Sequence, residues 1–152
     1  MDRATEIAAA VESAVESLVA VVEQARLAQQ PTVPPAQLRV LAIIASNRHT
    51  NMSRLAEALD VVPSSASRLC DRLEATGLLR RVADPRDRRE VRLVLTSAAR
   101  RLLTDLRERR RAALAEVLER MPPAARQDLL RALQAFEAAA ADPPSEVDRQ
   151  TA

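Results

Sequence analysis

The order of elements between Met52 and Thr96 restricts the fold of this chain more than any other feature: two short helical patterns joined by a tight turn run straight into a hairpin tipped with arginine. In MSRLAEALDVV, Leu55, Ala56 and Leu59 recur at helical spacing, and Asn51 stands where its side-chain oxygen would accept a backbone N–H of the first turn. Asp60 then takes the turn. A compact helix-turn-helix needs one residue near the left-handed region there, and Asp is among the few besides Gly that tolerate it.

In the second pattern, PSSASRLCDRLEATGLL, Pro63 suits the first helical position because its missing N–H would have no intrahelical partner. Ala66, Leu69, Cys70, Leu73 and Leu78 supply an apolar stripe, while Ser64, Ser65, Ser67, Arg68, Asp71 and Arg72 fall mostly on the other side. Gly77 closes the helix. Short hydroxyl side chains let such a helix approach base edges in the major groove, its amino end favours phosphate, and arginine pairs bidentately with guanine. The third stretch, LLRRVADPRDRREVRLVLT, has strand character at Leu79 to Val82 and at Val91, Leu93 and Leu95, around the charged turn Asp84-Pro85-Arg86-Asp87-Arg88. An arginine at such a tip suits the minor groove, where negative potential is strongest when the groove is narrow.

The run SRLCDRLEATGLLRRVADPRDRREVRLVLT resembles the multiple-antibiotic-resistance regulator (MarR) family of bacterial transcription factors. It has that family's order of recognition helix, Gly-Leu, strand, D-x-R-x-x-R wing and strand ending in Leu-Thr, with the wing motif on Asp84, Arg86 and Arg89. The resemblance implies a fold that is mainly α with a small β-hairpin wing: a winged helix-turn-helix lobe plus a helical dimerisation region from both chain ends. It also implies a homodimer on a pseudo-palindromic double-stranded DNA operator, often released by a small-molecule effector, with repression the usual outcome. Three positions depart from the family pattern. Val62, not Ser or Thr, precedes Pro63, so capping of the recognition helix falls to Ser64 or Asp60; Asp60 replaces the turn glycine; and Ala98 or Ala99 replaces a glycine after the wing.

At 152 residues the chain has room for one sizeable core, and 47% hydrophobic residues with 29% charged argue against disorder. A single Gly among many Ala and Leu favours helix. The net charge of +2 hides a segregation: residues 1–30 carry −3, residues 38–111 carry +8 and residues 112–152 carry −3. Arginine use without any lysine fits solvated helix faces; its clustering around one motif favours nucleic acid.

Within the lobe, Ser64, Ser65, Ser67 and Arg68 are assigned to base edges and flanking phosphates, and Arg72 to the backbone. Ser53 and Arg54, at the start of the preceding helix, suit register-fixing phosphate contacts. Arg86 is assigned to the minor groove, and Arg88 joins the basic tip. Asp84 orients the wing by pairing with Arg88 or Arg89. Arg89 suits a structural role as well as a DNA contact, and Arg80 and Arg81 read as ordinary solvated strand residues.

The start, MDRATEIAAAVESAVESLVAVV, has Glu6, Glu12, Glu16 and Glu23 at intervals that neither a signal nor a membrane span allows, which points to a cytoplasmic protein with no membrane partner. Ile7, Val11, Val15, Leu18 and Val22 instead predict a helix with one buried face. Pro31, Pro34 and Pro35 end it and start a second helix, whose Leu38, Leu41, Ile44 and Ala45 should floor the lobe. After the wing, Thr96 or Ser97 caps a long helix carrying Leu102, Leu103, Leu106, Ala113, Leu114, Val117 and Leu118. Pro122-Pro123 then precedes a last helix with Leu129, Leu130, Leu133 and Phe136. The resulting division is 1–34 N-terminal dimerisation helix, 35–96 winged lobe, 97–141 C-terminal dimerisation helices and 142–152 frayed tail. The terminal helices exceed what the lobe needs for its own core; packing back in a monomer is the alternative to a dimer, whose half-sites would lie about one helical turn, roughly 10 bp, apart.

No catalytic, metal or cofactor site is expected. One His and one Cys make no metal cluster of ordinary spacing, and a lone Gly excludes a phosphate-cradling loop. His49 reads as a surface or capping residue near the end of the second helix. Cys70 reads as an inert small core residue, a redox sensor being the alternative. The same fold also serves architectural DNA binding or protein contact, which the arginine wing and serine-lined helix argue against. Phe136, the lone aromatic, gives no stacking platform for single strands. The effector-binding residues, operator sequence and target genes are not legible in the chain.

Overall fold

A computed structural model describes residues 3–141, so the tail expected over 142–152 lies outside the described residues. The elements run α1 (Arg3–Leu27), α2 (Pro35–Ser46), α3 (Met52–Leu59), α4 (Pro63–Ala75), β1 (Leu79–Ala83), β2 (Val91–Leu95), α5 (Ser97–Glu119) and α6 (Pro123–Ala141). The fold is mainly helical with one two-stranded antiparallel hairpin. Two compact units divide between Ala113 and Leu114, within α5.

The core of the first unit gathers the inward stripes of α2, α3 and α4, the inner face of the hairpin and the first turns of α5. Leu41, Leu55, Leu73 and Leu79 are its largest fully enclosed side chains. Each contributes about 1.5 to 3 kcal/mol relative to exposure. In α2, Leu38, Leu41 and Ile44 are buried as expected, but Ala45 is exposed and Val40 takes an inward place instead.

Local signals set the ends of the two central helices. Asn51 Oδ1 accepts the Arg54 N–H at 2.9 Å, and Asp60 sits at φ 55°, ψ 48°, turning the chain from α3 into α4. Val62 precedes Pro63, and no side chain caps α4, so neither Ser64 nor Asp60 fills that role. At the other end Gly77 takes φ 73°, the Leu78 N–H reaches Leu73 O at 2.9 Å and the Gly77 N–H reaches Glu74 O at 3.0 Å. This is the paired closure of a glycine-terminated helix. It swings Leu78, which lies beyond the helix rather than on its stripe, into the core beside Leu73.

In the hairpin Leu79 faces Leu95 and Arg81 faces Leu93. Leu93 N–H also reaches Thr50 O at 2.9 Å, and Asn51 bridges to Arg92, which ties the wing to the α2–α3 loop. Thr96 Oγ1 donates to Gly77 O at 2.7 Å and accepts the Ala99 N–H at 3.2 Å, so one hydroxyl both closes the hairpin and caps α5.

The end of α1 is anchored by polar groups. Gln29 Nε2 donates to Leu102 O on α5 at 2.8 Å, and Arg26 Nη1 donates to Val33 O at 3.0 Å while its guanidinium pairs with Glu23. That pairing holds the Glu23 carboxyl below its ordinary range. The apolar face of α1, expected to be buried, is exposed in the single chain: Ile7, Val11, Val15, Leu18 and Val19 all reach solvent, with Ile7 at 58%. In the second unit, α6 buries none of its residues, and Leu130, Leu133 and Phe136 are exposed.

Candidate nucleic-acid interface

Helix α4 divides its residues by the periodicity that formed it. Ala66, Cys70 and Leu73 are buried; Ser64, Arg68 and Arg72 are exposed, and Ser65 and Ser67 are partly covered. Burial pushes the Cys70 thiol up to about 11, so at neutral pH it is a protonated packing group. Ser53 and Arg54 stand exposed in the first turn of α3, where the Arg54 Nη1 donates to His49 O at 3.2 Å. His49 lies past the end of α2, in the loop leading to α3.

The wing tip is shaped by two aspartates acting on their own backbone. Asp84 Oδ1 accepts the Arg86 N–H at 2.8 Å, and Asp87 Oδ1 accepts the Arg89 N–H at 2.9 Å. Backbone bonds from Asp84 N to Glu90 O and from Glu90 N to Asp87 O, both 2.9 Å, close the loop. Asp84 therefore organises the wing through a turn, and it makes no ion pair with Arg88 or Arg89. The physical reason is reach: a short carboxylate satisfies an N–H two residues on at lower entropic cost than it holds a long exposed arginine. The Arg86 N–H, with Arg92 nearby, keeps the Asp84 carboxyl below its ordinary value. Arg86, Arg88 and Arg89 are exposed and, among the described residues, form no salt bridge.

Arg54 and Arg86 line one open depression of about 320 Å³ between the start of α3 and the wing, together with His49, Asn51, Asp84, Asp87, Glu90 and Arg92. The fold thus brings a residue assigned to phosphate and a residue assigned to the minor groove to the two sides of one concavity.

One strand residue departs from its expected place. Arg81 is not an ordinary solvated side chain: its Nη2 donates to Asp71 at 2.7 Å and its Nη1 pairs with Glu74, both on α4. Ser67, assigned to base edges, lies with its Oγ 3.5 Å from the same guanidinium. Arg80 remains exposed, as expected. Two acids on a helix and an arginine on the next strand form no sequence motif; the only signal was that Asp71 and Glu74 share one face of α4.

Residues 32–90, from the loop before α2 through the wing loop, match the profile described as the MarR family. The chain is 35% identical over 86 residues to the HTH-type transcriptional repressor MdtR of Bacillus subtilis (strain 168), covering 57% of this chain and 56% of that one. It therefore spans little more than half the length of that relative. Among solved structures, RV1404 from Mycobacterium tuberculosis is 32% identical with a TM-score of 0.81, over 96% of this chain and 99% of that one. The YusO protein from Bacillus subtilis is 26% identical with a TM-score of 0.68, over 90% and 93%. With the helix-turn-helix, the aspartate-folded arginine wing and this likeness to solved structures in place, residues 32–90 of the chain are a winged helix-turn-helix segment of the MarR family.

Proposed function

We propose that this chain is a sequence-specific regulator of transcription that binds double-stranded DNA as a homodimer on a pseudo-palindromic operator, most simply as a repressor. The observation that carries the reading is the state of the wing: Arg86, Arg88 and Arg89 are exposed and outside any of the ion pairs among the described residues, while Asp84 and Asp87 accept N–H groups of the tip's own backbone, so the guanidinium groups stand available for phosphate and groove contacts. Beside it in the fold, α4 exposes Ser64, Arg68 and Arg72. In this reading Ser64, Ser65, Ser67 and Arg68 meet base edges, Arg72, Ser53 and Arg54 meet phosphates, and Arg86, with Arg88 and Arg89, meets the minor groove. The repressor name of the MdtR relative supports the direction of regulation.

The dimer is supported by the apolar side chains left in solvent on α1 and on α6, since exposed apolar faces of this kind mark association surfaces. A small molecule that releases the operator is part of the same proposal. The test is retention of genomic fragments by the purified chain at near-physiological salt. Enrichment of fragments sharing an inverted repeat supports an operator-reading dimer; uniform retention of all DNA overturns sequence specificity.

A further inference from the structure

Ser67, Asp71 and Glu74 stand four and three residues apart, which aligns them in one stripe along two turns of α4. Arg81 of β1 meets the whole stripe. Its Nη2 donates to Asp71 Oδ1 at 2.7 Å and lies 3.5 Å from both the carbonyl and the Oγ of Ser67, while its Nη1 pairs with Glu74. On its apolar side α4 packs into the core through Ala66, Cys70 and Leu73, with Leu69 partly buried against it. Burial of this apolar stripe selects the face of α4 that turns inward, but apolar contacts are non-directional and leave the fine rotation about the helix axis soft. Directed, charge-assisted hydrogen bonds set rotation, and a planar guanidinium with two separately engaged Nη groups does so from one side chain.

We propose that Arg81 is a positioning residue for DNA reading: by gripping α4 from the wing strand, it fixes the rotation of the recognition helix relative to the wing and so aims the exposed Ser64 and Arg68 at base edges. This rests on the operator-binding reading above. Arg81 does not touch DNA in this scheme, because its donors face the carboxylates of α4. It also offsets part of the negative charge of Asp71 and Glu74 on the helix that carries Arg68 and Arg72 toward phosphate.

The test compares wild type, Arg81→Ala, Arg81→Lys and Arg81→Ala combined with Asp71→Asn and Glu74→Gln. The probe is the duplex that the wild-type chain enriches most from a randomised pool, against the same duplex scrambled. Arg81→Ala should lower the ratio of the two affinities about five- to tenfold, the scale of two partly exposed pairs lost together. The salt dependence should stay unchanged, and Arg81→Lys, which holds one carboxylate at a time, should fall between. The triple variant should remain impaired, because removing the charges does not restore the grip. In DNA-free protein, amides of α4 should exchange faster in Arg81→Ala than in wild type. If Arg81→Ala does not fold, Arg81→Lys carries both comparisons.

A salt slope reduced by about one unit would make Arg81 a phosphate contact and overturn the proposal. Full recovery in the triple variant would leave neutralisation as the whole effect and overturn positioning. Unchanged exchange in α4 would overturn it whatever happens on DNA. A wild-type chain that enriches no duplex defeats the operator reading instead, and amide exchange still decides the grip.

Discussion

The Asp84 carboxylate accepts the backbone N–H of Arg86 at 2.8 Å, and this one bond holds the turn of the wing with the Arg86 side chain exposed. A residue two positions away thereby fixes the backbone of the arginine assigned to the minor groove. The arrangement makes the order of the wing dependent on the charge of Asp84.

Asp84 has a folded pKa below its ordinary 3.8, so its contribution is fully present above that value and is lost as pH falls through the lower, folded value. Acidification below about pH 4 should therefore raise amide exchange at Arg86 before the core unfolds. Asp84→Asn, whose carbonyl still accepts the N–H, should keep most of the wing's order and Asp84→Ala should lose it. Equal protection of the Arg86 amide in all three proteins would show that the bond does not organise the loop.

Arg86 and Arg54 line the same depression but are assigned different work. Arg86→Ala should weaken operator binding by about 1 to 3 kcal/mol and relax preference at the flanking minor-groove positions. Arg54→Ala should weaken operator and scrambled DNA alike and reduce the salt slope by about one unit. Titrations of both duplexes at several salt concentrations separate the two; identical patterns for both variants would remove the distinction.

Cys70 is fully enclosed, and its thiol is raised to about 11 by that burial. The native protein should resist a thiol alkylating reagent at neutral pH and react readily once unfolded. Rapid modification of the folded chain would contradict the packing. Its neighbour Leu73, equally enclosed, should cost about 2 to 5 kcal/mol as Leu73→Ala, read from denaturant unfolding.

Gly77 and Asp60, both in the left-handed region, give opposite expectations. Gly77 has φ 73° and open space where a Cβ would stand, so Gly77→Ala should destabilise by about 1 to 2 kcal/mol through backbone conformation alone. Asp60 holds φ 55° with a side chain, so Asp60→Gly relieves that conformation but adds freedom to the unfolded chain; a gain below about 1 kcal/mol is expected. Thermal melts of the two variants check both signs. A destabilising Asp60→Gly would mean that the aspartate side chain does more than tolerate the turn.

The proposed association of the apolar α1 face has its own readout. Val15 is 46% exposed in the single chain, so Val15→Asp removes nothing from the core of a monomer. In a dimer built on that face it places a charge in an apolar contact. Light scattering should show a shift toward monomer, with operator affinity falling as the paired half-sites are lost. An unchanged mass for a chain that is dimeric as wild type would move the interface elsewhere.

What the sequence by itself determined is the set of features whose physical cause lies within a few residues. Asn51 capping α3, Pro63 opening α4, Gly77 closing it, and the hairpin around Asp84 to Glu90 each depend on a backbone preference or on an N–H close by, so residue type and spacing suffice to read them. Only the tertiary structure decided where longer-range polar groups go. Arg81 finds Glu74 and Asp71, seven and ten residues away on another element, and Gln29 finds the carbonyl of Leu102, 73 residues away. A charged side chain with several carboxylates in reach takes the partner that packing brings nearest, and that follows from how α4 and β1 lie on the shared core, not from the local pattern. The same holds for α1: its periodicity marks an apolar face, and only the assembled chain shows that the core of the first unit leaves that face in solvent.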